Sequence, residues 1–477
     1  MINKFLKDSI TYAIPALLAR GIGLFLLPVY TRYLTPQDYG VIELLTILFA
    51  LLNIIIPIEI AQAEARLLPD ALDKLKKMQL ASTAFWFTAL GFVFIAIIIW
   101  KNSINLSVIL FSSDQYGLEL RIASVSMIAN ALFYVVQNHL RWCLQARESA
   151  IIGVIYSLFV AVISIYFVAV LKMGVIGILL GQLISGVLAI ILGIYFSLLK
   201  IPISLNFNFS TLKEMLVFST PLVFSSVAVY INTYIDRWLI NSILDLNDVG
   251  IYSVAFRIAL VPGLIMYTFQ MALAPLIYHN YNDKKTPFNI ARLFSYFLLI
   301  ILPILAIIGV FADEILKLLT TEKFYSASEL VLLLSMSMVL MNIYIFSPGL
   351  GIAKLTHRIA VINIIAASIN IVLNIIMIPI YGRFGAAVAT LVGSILMATL
   401  YFWQGNKKYK IPYDYSKCII AILTLCAFLM IHKLISPAFT STILLLTLFI
   451  ISTFLILLSA IEKKTIINLV LDYVPKK

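Results

Sequence analysis

GVIGILLGQLISGVLAIILGIYFSLL, residues 174–199, holds no charged side chain between Lys172 and Lys200. At ~1.5 Å per residue such a helix crosses the ~30 Å hydrocarbon core of a bilayer. Working outward, the same reading applies to 9–31, 41–60, 79–100, 120–140 and 149–171 before it. After it come 215–240, 249–276, 293–312, 330–353, 359–380, 384–403, 415–435 and 439–460. The expected fold class is therefore an all-α polytopic membrane protein of about 14 transmembrane helices.

Composition points the same way. The chain of 477 residues is 62% hydrophobic and 12% charged, which a soluble domain of this length could not present to water. The net charge of +12 is spread over the loops rather than gathered with aromatics on one segment, so nucleic acid is not an expected partner. With the amino terminus inside, 23 of the 34 basic residues fall in inward loops and tails, which predicts a cytoplasmic location for both termini. Lys4 and Lys7 precede an apolar stretch too long for a signal-peptide core, so the first stretch is expected to remain as an uncleaved helix. Cys143, Cys418 and Cys426 show neither a C-x-x-C pair nor metal-ligand spacing; no disulfide, metal or cofactor is expected. No phosphate loop is present and no loop exceeds about twenty residues, which excludes an ATPase domain in this chain.

The chain repeats itself. Leu6-Lys7-Asp8 with Pro15 recurs as Leu212-Lys213-Glu214 with Pro221. Asp38-Tyr39-Gly40-Val41 recurs as Asp248-Val249-Gly250-Ile251, Ala146-Arg147 as Ala353-Lys354, and Gly174 with Gly177 as Gly382 with Gly385. Four matches in one order at an offset near 208 predict two six-helix lobes, 1–205 and 206–411, followed by two extra helices and a tail at 412–477. An even number of helices per half makes the repeat parallel, with a pseudo-twofold axis along the membrane normal, an arrangement of transporters.

Two charges lie deep in apolar stretches. Arg20 sits ~16 Å into the first stretch and Arg257 reaches a similar depth in the eighth. A central Arg costs roughly 2.5–3.5 kcal/mol on insertion scales, so each should face a wet cavity or a partner. A guanidinium is a fork of donors suited to phosphate oxygens, and one from each half would line a cleft for an anionic substrate. The bland alternative is a structural pairing with Glu43, Glu59 or Asp236, the acids within the spans. Pro15, Gly21, Gly23 and Pro28 around Arg20, and Pro262, Gly263 and Pro275 after Arg257, allow local bending. Arg32, Asp38, Glu43, Asp236 and Arg237 fall near outer helix ends and are candidates for a gate or, in the case of Asp236, for ion coupling. His139, His279, His357 and His432 read as solvated boundary residues. The basic loop 66–77 and Lys407, Lys408 and Lys410 would attract anionic lipid headgroups or simply fix topology.

The stretch RGIGLFLLPVYTRYLTPQDYGVIELL at 20–45, its counterpart DRWLINSILDLNDVGIYSVAFR at 236–257, and GRFGAAVAT at 382–390 resemble the multidrug/oligosaccharidyl-lipid/polysaccharide exporter superfamily. Within it they are most similar to bacterial O-antigen and polysaccharide repeat-unit flippases. The resemblance implies a non-enzymatic inner-membrane protein that moves an undecaprenyl-pyrophosphate-linked oligosaccharide to the outer leaflet through a cationic cavity. It also implies membrane lipids, a polysaccharide polymerase and a chain-length regulator as partners. Relatives that flip the peptidoglycan precursor carry arginines in the helices that hold Arg20 and Arg257 here, and one more in the second helix. This chain has only Glu43 and Glu59 there, which argues against that substrate. Two alternatives stand beside it: a multidrug or cation exporter of the same superfamily, and a membrane-embedded polysaccharide polymerase.

Overall fold

The computed structural model describes residues 22–435 and 439–458, whose regular structure is helical, with no strand among them. Among the described residues twelve helices are long and apolar enough to cross a membrane. The difference from fourteen has two sources. The first expected stretch lies partly outside the described residues, which begin with a helix at 22–33 (α1), and the stretches 359–380 and 384–403 run on as one helix, Thr356–Lys408, kinked at Gly382.

Local chemistry sets the element ends. Helix α2, Pro36–Ile55, begins five residues earlier than the apolar pattern suggests because Thr35 and Asp38 form a capping box and Pro36 occupies the first turn. It also stops short of 60. Ile58 and Glu59 are left-handed, and a short helix, α3 at Ile60–Leu67, restarts after them. Then follow α4 (Lys74–Lys101), α5 (Ser103–Phe111), α6 (Gly117–Trp142), α7 (Ala146–Ile165) and α8 (Gly174–Ser197). The glycines of α8 let its neighbours approach: a Cβ at Gly181 would lie 2.1 Å from Ser164 Oγ and one at Gly193 would lie 2.4 Å from Val136 Cγ1. Small residues are what membrane helices use to pack, since lipid offers no hydrophobic drive for association. Leu90, Phe94 and Ile97 of α4 are exposed, as a lipid-facing surface requires.

A connector at 200–208 leads to α9 (Phe209–Ile243), which Asn208 caps. The connector is held to α4 by the Trp86 indole donating to Ser204 O at 2.8 Å and the Ser204 N–H donating to Ser82 Oγ at 2.9 Å. Next come α10 (Leu246–Asn280), α11 (Thr286–Val310), α12 (Ala312–Leu319), α13 (Ser328–Asn342), α14 (Gly349–Ile352), α15 (Thr356–Lys408), α16 (Tyr415–Ile435) and α17 (Phe439–Leu457).

The chain divides into two compact units. Of the described residues, the first comprises 22–257, 319–326 and 367–389. The second comprises 258–318, 327–366, 390–435 and 439–458, and its core is built on Phe294, Phe297, Phe346 and Tyr413 with Phe428 and Phe449 of the last two helices.

The repeated motifs share backbone form as well as letters. Gly174 and Gly382 are the two glycines with positive φ among the described residues, at 57° and 58°. Leu144 and Lys354 are likewise left-handed, and the helices before them close alike: Gln145 N–H donates to Leu140 O, and Leu355 N–H to Leu350 O. That equivalence lies at offset 210, so the match of Ala146-Arg147 with Ala353-Lys354 is three residues out of register. Within the first unit, the starts of α2 and α10 cross at Gly40 and Gly250. A Cβ at Gly40 would fall 2.1 Å from Leu246 O, and one at Gly250 would fall 1.8 Å from Pro36 O. The contact is reciprocal, each glycine meeting the residue four positions before the other.

Candidate functional site

Helices α1, α2, α6, α7, α8 and the start of α10 enclose a cavity of about 310 Å³ inside the first unit. Its lining includes Gly23, Tyr30, Thr46, Gln137, Tyr156, Ser157, Gln182 and Arg257. Arg257 lies eleven residues after Leu246, roughly 17 Å along α10. Its side chain is 24% exposed, so the guanidinium opens onto this space.

Arg257 has a partner as well as a cavity. Its Nη2 lies 3.4 Å from Glu43 Oε2, and its Cζ lies 5.3 Å from the centre of the Tyr39 ring. A charge-assisted bond at full strength is ~2.7–2.9 Å long, so this pairing is loose and one-pronged. Nε has no hydrogen-bond partner among the described residues. Gly23 presents no side chain to it; a Cβ there would sit 3.4 Å from Nη1. A fork of five N–H donors with one long contact keeps capacity for a further anion.

The other expected residues separate from this site. Arg20 lies outside the described residues. Arg32 is exposed on α1 and forms no ion pair among the described residues. Asp38 is spent on the capping box of α2. Asp236 and Arg237 bind each other: Arg237 Nη1 donates to Asp236 Oδ1 at 2.8 Å and to Thr233 O at 2.6 Å, and the Tyr252 hydroxyl donates to Asp236 Oδ2 at 2.5 Å. The Arg237 guanidinium lies 3.7 Å over the Phe256 ring, and its side chain is wholly buried. Of the gate candidates, then, the structure brings Glu43 to Arg257 and Asp236 to Arg237, and it brings Arg32 to neither.

Two pairings were not foreseen. Arg383, directly after the kink at Gly382, pairs with Asp248, whose own N–H is capped by Asp245. His139 is not a solvated boundary residue. Its Nδ1 lies 2.6 Å from Glu64 Oε1 and its Nε2 lies 2.8 Å from Ile201 O, with both side chains sealed from solvent. The apolar pattern leaves Glu64 in a loop, and only the restart of the chain as α3 buries it against α6. A signal for the burial of His139 was present, because it continues the buried stripe of Val135 and Val136 on α6. His279 and His357 are exposed, as expected. Among the described residues no group of His, Cys, Asp and Glu could hold a metal ion.

Known proteins share this architecture. A lipid II flippase, MurJ, in an inward closed conformation superposes with a TM-score of 0.74 at 19% identity, over 96% of this chain and 100% of that one. An inward-facing multidrug resistance MATE family transporter of the MOP superfamily gives 0.69 at 17% identity, over 82% of this chain and 94% of that one. In sequence, the "Probable low-salt glycan biosynthesis flippase Agl15" of Haloferax volcanii is 24% identical over 233 residues, 46% of this chain and 48% of the relative. The chain spans about half the length of the curated relatives it matches. The family model described as polysaccharide biosynthesis protein matches residues 29–329, well over half the chain and all of the segment that carries Glu43, Asp236 and Arg257. With a MOP-type transporter fold around those residues, the chain belongs to the polysaccharide biosynthesis protein family.

Proposed function

We propose that this protein is a flippase for an undecaprenyl-pyrophosphate-linked oligosaccharide, an O-antigen or other polysaccharide repeat unit, which it carries from the inner to the outer leaflet of the bacterial plasma membrane. The observation that carries the reading is Arg257: a deep guanidinium on a cavity, held by one loose contact and with donors to spare. A pyrophosphate leaving the headgroup region loses hydration, and a preformed cationic fork offsets that loss. Arg20 would supply the second cation. Glu43 competes with the substrate for the same guanidinium, so binding and release exchange one anion for another on Arg257. Alternating access between the halves 1–205 and 206–411 would move the head, while the polyprenyl tail stays in lipid and the helices of 412–477 pack outside the repeat. Both termini would lie in the cytoplasm, and a polymerase and chain-length regulator would use the product. Asp236 would couple the cycle to protons that reach its cage.

A second reading has one observation in its favour. Glu43 beside the guanidinium and the Tyr30 ring on the cavity wall are the kinds of group a cation exporter would use. Deleting the gene and measuring lipid-linked oligosaccharide by mass spectrometry, with surface polysaccharide alongside, separates the two. Accumulated glycolipid and lost surface polymer are expected, and restoration should require Arg257. Unchanged glycolipid with new drug sensitivity would replace the flippase with the exporter.

A further inference from the structure

The wall of the cavity beyond Arg257 is polar without being charged. Gln137, Tyr156 and Gln182 reach it from α6, α7 and α8. The Gln182 side chain has no hydrogen-bond partner among the described residues, and the Gln137 amide has only a long one, 3.3 Å to Ser149 O. Uncommitted amides are costly within a membrane unless a ligand or water meets them, so such residues there mark a path or a site. Gly153 makes the space for one of them, since a Cβ at that position would come within 2.5 Å of Gln137 Nε2. Tyr156 stacks on Phe133 with ring centres 4.3 Å apart and gives its hydroxyl to Asn130, which fixes a flat aromatic surface at the wall.

Each chemistry excludes something. A cation would need carboxylates on this wall and a second phosphate would need cations; among the described lining residues the charge is that of Arg257. An amide both donates and accepts, which matches a hydroxyl that does the same. A volume of about 310 Å³ is near the lower end of the ~300–1,000 Å³ of small-molecule sites, room for one or two sugar rings rather than a whole repeat unit. We propose that Gln137, Gln182 and the Tyr156 ring form a saccharide subsite that reads the sugar bonded to the pyrophosphate on Arg257. The subsite rests on the flippase reading and adds a selectivity to it: the sugar next to the pyrophosphate is inspected.

The test uses the full chain in nanodiscs and three probes: a polyprenyl pyrophosphate with no sugar, with one hexose, and with one N-acetylhexosamine. One sugar lipid is expected to bind about tenfold more tightly than the bare lipid, the yield of one or two neutral hydrogen bonds. The double variant Gln137→Leu, Gln182→Leu should bind the bare lipid as the wild type does and lose the gain, whereas Arg257→Ala should weaken all three. Gln182→Leu alone should lose part of the gain, and thermal melts of each variant check folding. Equal binding of all three probes by the wild type, or a gain retained in the double variant, overturns the subsite while leaving the flippase reading intact. Failure of the bare lipid to bind at all overturns both.

Discussion

Arg237 and Arg257 are twenty residues apart in sequence, both in helices and both beside a carboxylate, yet they are built for different work. Arg237 is wholly buried, bonded to Asp236 and Thr233, and roofed by Phe256. Arg257 is 24% exposed and touches Glu43 across 3.4 Å. Depth in an apolar stretch does not by itself mark a binding residue. Unpaired donors do not either, since among the described residues Arg237 keeps Nε and Nη2 unpaired and Arg257 keeps Nε; what distinguishes Arg257 is the cavity in front of its guanidinium.

The comparison can be broken in several ways. Arg237→Ala leaves Asp236 as an uncompensated buried charge, a loss of about 3–5 kcal/mol, so little folded protein should reach the membrane on immunoblots. If Arg237→Ala accumulates and melts like the wild type, the cage is not structural. Arg257→Ala should instead accumulate normally and lose export about 10- to 100-fold, the worth of a charged hydrogen bond or two to phosphate, measured as surface polymer per transporter. Loss of the folded protein in that variant would place Arg257 beside Arg237. Glu43→Gln removes the competing anion; bare pyrophosphate lipid should bind roughly fivefold more tightly, for a pair worth about 1 kcal/mol, with export slowed at release. Gly23→Ala is the smallest expected effect. Its Cβ would meet Nη1 at 3.4 Å, an ordinary contact, and stability should change by no more than about 0.5 kcal/mol in a melt.

How much was legible follows from which forces are local. The spans were readable because hydrocarbon imposes length and apolarity on each helix separately. The equivalence of Gly174 and Gly382 was readable because both positions take a positive φ, which glycine adopts at no steric cost. Leu144 and Lys354 take a positive φ without glycine, which is why letters alone set their register three residues wrong. Arg257 was visible as a charge in an apolar run, and Glu43 as one of few acids, but their meeting joins residues 214 positions apart. Gln137 and Gln182 escaped notice because an amide brings no charge to mark it within an apolar run; what singles them out is the cavity they share. His139 was misread because its partner, Glu64, sits beyond a break in the chain that no apolar period announces.

The crossing at Gly40 and Gly250 has a consequence for substitution. Each glycine lies on the residue four before the other, the relation that two copies of one surface adopt across a twofold interface. A side chain at either position would strike backbone of the facing helix, and relieving one clash would leave the other in place. The equality ends at the neighbouring acids, since Asp38 caps its own helix while Asp248 holds Arg383.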